Sequence, residues 1–129
     1  DQAALIAAAD CFVSLHRSEG LGLHIAEAMW LRTPVIASDY SGNVDLTAPG
    51  PSGDVAALVK VDLVPVANGG EAYQEGVWGE PDLDEAARAM RRIIDDAEYR
   101  DALVGAARAR ADHLGDRGAA GRHIAALLG

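Results

Sequence analysis

The sequence predicts an α/β fold: a parallel sheet flanked by helices, with a helical C-terminal segment. Three observations predict it. Short apolar runs at 11–15, 35–38 and 57–61 have strand character, and 35–38 looks like a buried parallel strand. The first two are separated by 23–31, a run of helix formers with no internal breaker, so the order is strand, helix, strand. From residue 82 onward, apolar residues recur at helical spacing. With 129 residues, the chain is one domain's worth of sequence. Its formal net charge of −9 argues against nucleic acid or an anionic membrane surface as a direct partner.

Taken in order, Asp1 is placed to cap a short helix over 1–9, with Leu5, Ile6 and Ala9 available for packing. Asp10 closes that helix and the first strand runs from Cys11 to Leu15. As the single cysteine, Cys11 rules out an internal disulfide and reads as a small buried hydrophobe. His16-Arg17-Ser18 then enters a loop with two glycines, Gly20 and Gly22. His16 and Arg17 are candidates for phosphate or acceptor contact, against the plainer reading of solvated loop residues. His24 is a weaker candidate in the first turn of the following helix. Pro34 forbids further helix and leaves 35–38 extended as the second strand.

Asp39-Tyr-Ser-Gly-Asn43 follows that strand. Ligands of open α/β sheets collect outside the carboxyl ends of strands, which makes Ser41 and Gly42 cleft candidates, although a plain turn explains them equally well. Residues 48–54 read as a turn-rich connector and 57–61 as a third strand at the sheet edge. Residues 62–80, with Gly69, Gly70, Tyr73 and Trp78, read as a long loop that is either a flap or a packing element against another domain. Asp82 and Glu85 then fit a capping box. Leu83, Ala86, Ala87, Met90, Ile93, Ile94 and Ala97 form the stripe of the helix that follows, Met90 as core filling. A helix over 98–114 is expected to bury Leu103, Val104 and Ala107. Gly115-Asp-Arg-Gly118 breaks it, and a last helix carries Ile124, Leu127 and Leu128.

Several chemistries find no footing. There is no Gly-x-Ser-x-Gly, His-Glu-x-x-His, Cys-x-x-Cys or P-loop lysine, and Gly20-Leu-Gly22 lacks the third glycine of a dinucleotide fingerprint. His113 and His123 lack a nearby third ligand, so no metal site is expected. No window approaches the roughly 18 apolar residues of a membrane span, and no secretory signal is present, so the default expectation is a cytoplasmic location.

The glycine loop is where chemistry is expected. The first N–H groups of a helix have no partner within it and carry the positive end of its dipole, so an anion can dock there. Glycines at 20 and 22 clear side chains from the approach of a phosphate. Glu27 then lies roughly 7 Å along the axis at about 1.5 Å per residue, the step from a bound diphosphate to the hydroxyls of a nucleotide sugar ring. A carboxylate there can accept two charge-assisted hydrogen bonds from a diol. Glu19 precedes the helix and faces the other side of the phosphate.

Glu19-Gly-Leu-Gly-Leu-His-Ile-Ala-Glu27-Ala-Met29, followed by Thr33-Pro-Val-Ile-Ala-Ser38 and Ser41-Gly-Asn43, resembles the E-x7-E region of retaining glycosyltransferases of family GT4, which have the GT-B fold. The resemblance runs from about Ala9 to the helix beginning near Asp82, specific through residue 45 and loose afterwards. It implies that 1–129 is part of a Rossmann-like C-terminal donor-binding domain. It implies that Glu27 binds the donor ribose and that Glu19, as the catalytic residue, lies near the donor sugar hydroxyls. The amides of Leu21, Gly22 and Leu23 would hold the diphosphate and sugar, with Gly20, Ser41 and Gly42 also lining the donor. The implied reaction moves a hexosyl group from a nucleotide diphosphate sugar to a glycan or lipid-linked acceptor, as in polysaccharide biosynthesis, without cofactor or required metal.

The resemblance also places an acceptor domain and the basic residues that grip the diphosphate upstream of Asp1, so that this part alone is inactive. Arg32 departs from the family, which has a helix-ending glycine there. Trp78-Gly-Glu-Pro-Asp82 resembles the end of an insertion found in one GT4 subgroup. Two other readings stand beside this one. A flavodoxin-like phospho-receiver would use Asp39 and Lys60, but it uses neither glutamate and lacks an acidic pair beside the first strand. The other is a non-catalytic module that binds a sugar nucleotide.

Overall fold

The computed structural model describes residues 1–66 and 75–116, together with 118, 122, 125 and 126. Helix α1 spans Gln2–Ala7, and its N-terminus is satisfied by the Asp1 carboxylate, which accepts the Ala4 N–H at 2.8 Å. Of the three residues expected to pack, only Ile6 is buried; Leu5 and Ala9 face solvent. The buried Thr33 hydroxyl donates to the Ile6 carbonyl at 2.9 Å, tying the end of α1 to the chain entering the second strand.

The sheet is built from β1 (Phe12–Ser14), β2 (Val35–Ser38) and β3 (Ala57–Val59), all parallel, in the order β1-β2-β3. The third strand lies at the edge, as expected. Period-two alternation divides the core into two layers. Val35 and Ala37 of β2 pack with Ile25, Ala28 and Met29 of α2 (Leu23–Trp30) and with Ala106, Ala107 and Ala111 of α5 (Ala97–Leu114). Ile36, with Ala57 and Val59, faces the opposite way onto Ala86 and Ile93 of α4 (Leu83–Asp95) and onto Leu103. Every residue of β2 is buried because helices cover both faces of the sheet, and the short helix α3 (Val44–Thr47) comes soon after it in the chain. Cys11 is half-buried against the second layer. Burial, with Asp10 beside it, holds its thiol above the ordinary pKa range.

Helix α2 ends as a Schellman turn. Thr33 N–H donates to the Ala28 carbonyl at 2.9 Å and Arg32 N–H to the Met29 carbonyl at 3.3 Å. Arg32 has φ 64°, the left-handed conformation that its glycine-like position demands, so the departure from the family pattern is borne by backbone strain. A non-glycine residue there costs on the order of 1 kcal/mol. Arg32→Gly is therefore expected to raise the unfolding free energy by about 0.5–1 kcal/mol in denaturant titration, and a drop in stability would refute the strain.

The expected loop over 62–80 is corrected where it is described. Strands β4 (Val61–Pro65) and β5 (Val77–Pro81) form an antiparallel hairpin with Leu63 opposite Gly79 and Val64 opposite Trp78. Gly79 and Pro81 weaken the strand signal of β5. Gly79 is required inside this strand because a Cβ there would come within 2.9 Å of both Tyr40 Cδ1 and Val61 Cγ2. The run 57–61 is likewise two strands, broken at Lys60, whose N–H donates to the Glu85 carboxylate at 2.7 Å while its carbonyl accepts the Asp82 N–H at 2.9 Å. Gly69, Gly70 and Tyr73 lie outside the described residues.

At the start of α4, Asp82 accepts the Glu85 N–H at 2.9 Å, the forward half of the expected capping box. The return half is absent because Glu85 is engaged by Lys60. The predicted stripe is narrower than its periodicity suggests: Ala86 and Ile93 are buried and Met90 is half-buried against them, but Leu83 and Ile94 are 67% and 66% exposed and Ala97 faces solvent. Asp96 separates the helices and caps α5 by accepting the Tyr99 N–H at 2.9 Å. Leu103 and Ala107 are buried as expected, Val104 is half-buried, and α5 stops at Gly115. His123, Ile124, Leu127 and Leu128 lie outside the described residues. Among those described, no helix is long and apolar enough to cross a membrane.

Candidate functional site

Three glycines shape the loop between β1 and α2, each for a different reason. Gly22, the N-cap of α2, has φ 84°, and a Cβ there would sit 3.2 Å from Asn43 Cβ and Ile25 Cδ1. Gly42 follows β2, and its added Cβ would fall 1.7 Å from the Gly20 carbonyl oxygen. Gly20 has open space instead, with nothing within 4 Å of the position a Cβ would take. Two of these glycines are thus required by the fold, and the third leaves room for something else to approach.

Glu19 is held by the turn at Ser41–Asn43. Ser41 Oγ accepts the Glu19 N–H at 3.1 Å and donates to the Glu19 carbonyl at 2.8 Å, while Gly42 N–H donates to the same carbonyl at 3.0 Å. The Glu19 carboxylate turns onto its own loop: Oε1 accepts the N–H groups of Gly20 at 2.9 Å and Gly22 at 3.2 Å. The fold therefore brings together Glu19, Gly20, Gly22, Ser41 and Gly42. Leu21 and Leu23 N–H make no hydrogen bond among the described residues, and their side chains are exposed. Further along α2, Glu27 is half-buried and its carboxylate forms no hydrogen bond or ion pair with the described residues. His24 faces solvent.

His16 and Arg17 have definite partners within the fold. His16 Nδ1 lies 2.9 Å from Ser14 Oγ, and Nε2 lies 3.1 Å from the Tyr40 carbonyl and 2.8 Å from Asn43 Oδ1. Arg17 makes a bidentate pair with Glu80 at 2.6 and 2.9 Å and stacks 5.0 Å from the Trp78 ring centroid. The hydrogen bond and charge of Glu80 push Arg17 further up; the hydrogen bond from Arg17, with its charge, pulls Glu80 down. Both side chains are about half exposed, 51% and 45%, so water screens the pair and its contribution to stability is small. Gly79 N–H also donates to the Arg17 carbonyl at 3.0 Å, which docks the β4–β5 hairpin against the chain entering the glycine loop. Sequence reasoning missed Asn43, Tyr40 and Glu80 as partners. Each lies more than 20 residues from the group it holds, with no local signal of the contact.

Asp39 is exposed and its N–H donates to the Val59 carbonyl at 2.8 Å. Among the described residues no group of three or more His, Cys, Asp or Glu side chains could hold a metal ion.

Residues 1–61 match the family of glycosyl transferases group 1. The match takes in β1 to β3, the glycine loop, both glutamates and the turn that holds Glu19. For residues 1–61 the match supports the architecture of a GT-B C-terminal domain and, at the coarse level of the family, glycosyl transfer. No curated protein matches the chain. The glycine loop and the Ser41–Asn43 turn follow the carboxyl ends of β1 and β2, where ligands of open α/β sheets are bound.

Proposed function

We propose that this chain is the donor-binding part of a retaining glycosyltransferase of the GT4 type, moving a hexosyl group from a nucleotide diphosphate sugar to a glycan or lipid-linked acceptor. One observation carries the reading: the glycine loop that leads into α2 is bound through the Glu19 backbone to the Ser41–Gly42 turn, and Gly20 has open space where a Cβ would stand. The acceptor would be bound by parts of the protein outside these residues.

In this reading the diphosphate lies against the amides of Leu21, Gly22 and Leu23. These preorganised dipoles stabilise the charge that grows on the departing diphosphate, without a required metal or cofactor. Glu27 accepts hydrogen bonds from the ribose diol and Glu19 orients the transferred sugar. Glu27→Ala removes two charge-assisted hydrogen bonds worth about 2–3 kcal/mol together, so affinity for the donor is expected to fall roughly 30- to 150-fold. Titrating GDP-, UDP- and dTDP-sugars into the full-length protein and this variant checks the assignment. Alanine is a good helix former and Glu27 has no partner to lose, so the fold is expected to survive. Unchanged affinity in the variant would remove Glu27 from the donor site.

A further inference from the structure

We infer that His16 is a positioning residue for the donor loop, acting through the Ser41–Asn43 turn rather than by touching phosphate or acceptor. The inference rests on the donor-binding reading for its functional readout, but its structural basis is independent of it.

The hydrogen-bond pattern settles what His16 does. Asn43 is fully buried, and its amide nitrogen is committed to the Ser38 carbonyl at 3.0 Å, with the Thr47 hydroxyl at 3.5 Å. Its Oδ1 is therefore the atom that meets the ring. Both neighbours of His16 Nε2, Asn43 Oδ1 and the Tyr40 carbonyl, are acceptors, so Nε2 carries a proton. In the neutral ring Nδ1 accepts from the Ser14 hydroxyl. The imidazole thus pins the last residue of β1 to both ends of the turn after β2.

That turn needs pinning. Ser41 has φ 76°, a left-handed conformation that a non-glycine residue keeps only where its surroundings over-determine it. His16 grips Tyr40 and Asn43, the residues flanking Ser41 and Gly42, and the backbone of Glu19 grips Ser41 and Gly42 themselves. The strained serine is clamped from both sides. Release of the His16 side lets Ser41 relax, and the three hydrogen bonds that hold Glu19 to the turn loosen with it.

The test uses full-length protein with His16→Ala, His16→Gln, Asn43→Ala and the His16→Ala/Asn43→Ala double variant. Glutamine keeps an N–H donor near the Nε2 position but cannot become a cation. In His16→Ala, amide hydrogen exchange across residues 18–24 is expected to quicken at least tenfold, and kcat/KM to fall on the order of 10- to 100-fold, since small misplacements of a site cost about that much. His16→Gln is expected to recover most of both. The double variant is expected to lose no more than the worse single, because both ends belong to one clamp.

Unchanged exchange over 18–24 in His16→Ala overturns the positioning role, whether or not any donor binds. A His16→Gln variant with restored exchange but activity as low as His16→Ala overturns it in favour of direct ligand contact. Failure of the unsubstituted protein to bind any of the GDP-, UDP- or dTDP-sugars refutes the donor reading alone and leaves the exchange measurement to decide the clamp.

Discussion

Gly42→Ala is expected to be among the most damaging single substitutions in the site, lowering stability by about 3 kcal/mol and abolishing measurable donor binding. Its methyl group would have to occupy a point 1.7 Å from the Gly20 carbonyl oxygen and 3.0 Å from that of Glu19. These are backbone atoms, so no side chain can swing aside. The turn and the glycine loop must separate, and the Gly42 N–H to Glu19 carbonyl bond of 3.0 Å is lost as they part. Gly20→Ala is the control. Nothing lies within 4 Å of its added methyl and its backbone is unstrained, so stability should change by no more than about 0.5 kcal/mol. Denaturant unfolding separates the two effects from binding. A Gly42→Ala protein of unchanged stability would mean that the two loops are not in contact in solution. Gly20→Ala with normal stability but lost donor affinity would mark the bare face of Gly20 as the place where ligand approaches.

The contrast between these glycines shows what a sequence discloses and what it hides. Strands β1 and β2, the helix between them and the stop at Pro34 are short-range features, and each was legible in neighbouring residues. So were the Asp1 cap and the forward half of the Asp82 cap. The β4–β5 hairpin was not, because β5 contains Gly79 and Pro81, two residues that weaken any strand signal, and the need for Gly79 comes from Tyr40 at a distance. The exposed Leu83 and Ile94 show the opposite failure: periodicity marks an apolar face without telling how much of it is covered. In the site, the order of Glu19, the two glycines, Glu27, Ser41 and Gly42 was plain. That Gly42 and Gly20 exclude a methyl between them, and that His16 meets Asn43, are facts of three-dimensional contact with no counterpart in spacing.

Glu19→Ala is expected to reduce turnover by about 100- to 1,000-fold, the range seen when one preorganised polar group is removed from a reacting centre, while affinity for the sugar-free nucleoside diphosphate holds or rises. The expectation of unequal effects comes from the carboxylate's own contacts. Glu19 Oε1 takes the Gly20 and Gly22 N–H groups, and Gly22 N–H is one of those that the proposed diphosphate site uses. Carboxylate and phosphate compete for the same donor, and like charges so close repel, so a donor must move the Glu19 side chain from the loop amides toward the sugar. Deleting the side chain removes the competitor along with the group that orients the sugar in the proposed reading. It also leaves the Gly20 and Gly22 N–H groups without their acceptor, which should lower stability by about 1 kcal/mol, small enough to leave the protein folded. Isothermal titration with nucleoside diphosphate, set beside steady-state rates with the matching sugar nucleotide, measures both halves. If Glu19→Ala and Glu27→Ala lose diphosphate affinity equally, the two acids do not divide the donor between them; if turnover persists without Glu19, the transferred sugar lies away from this carboxylate.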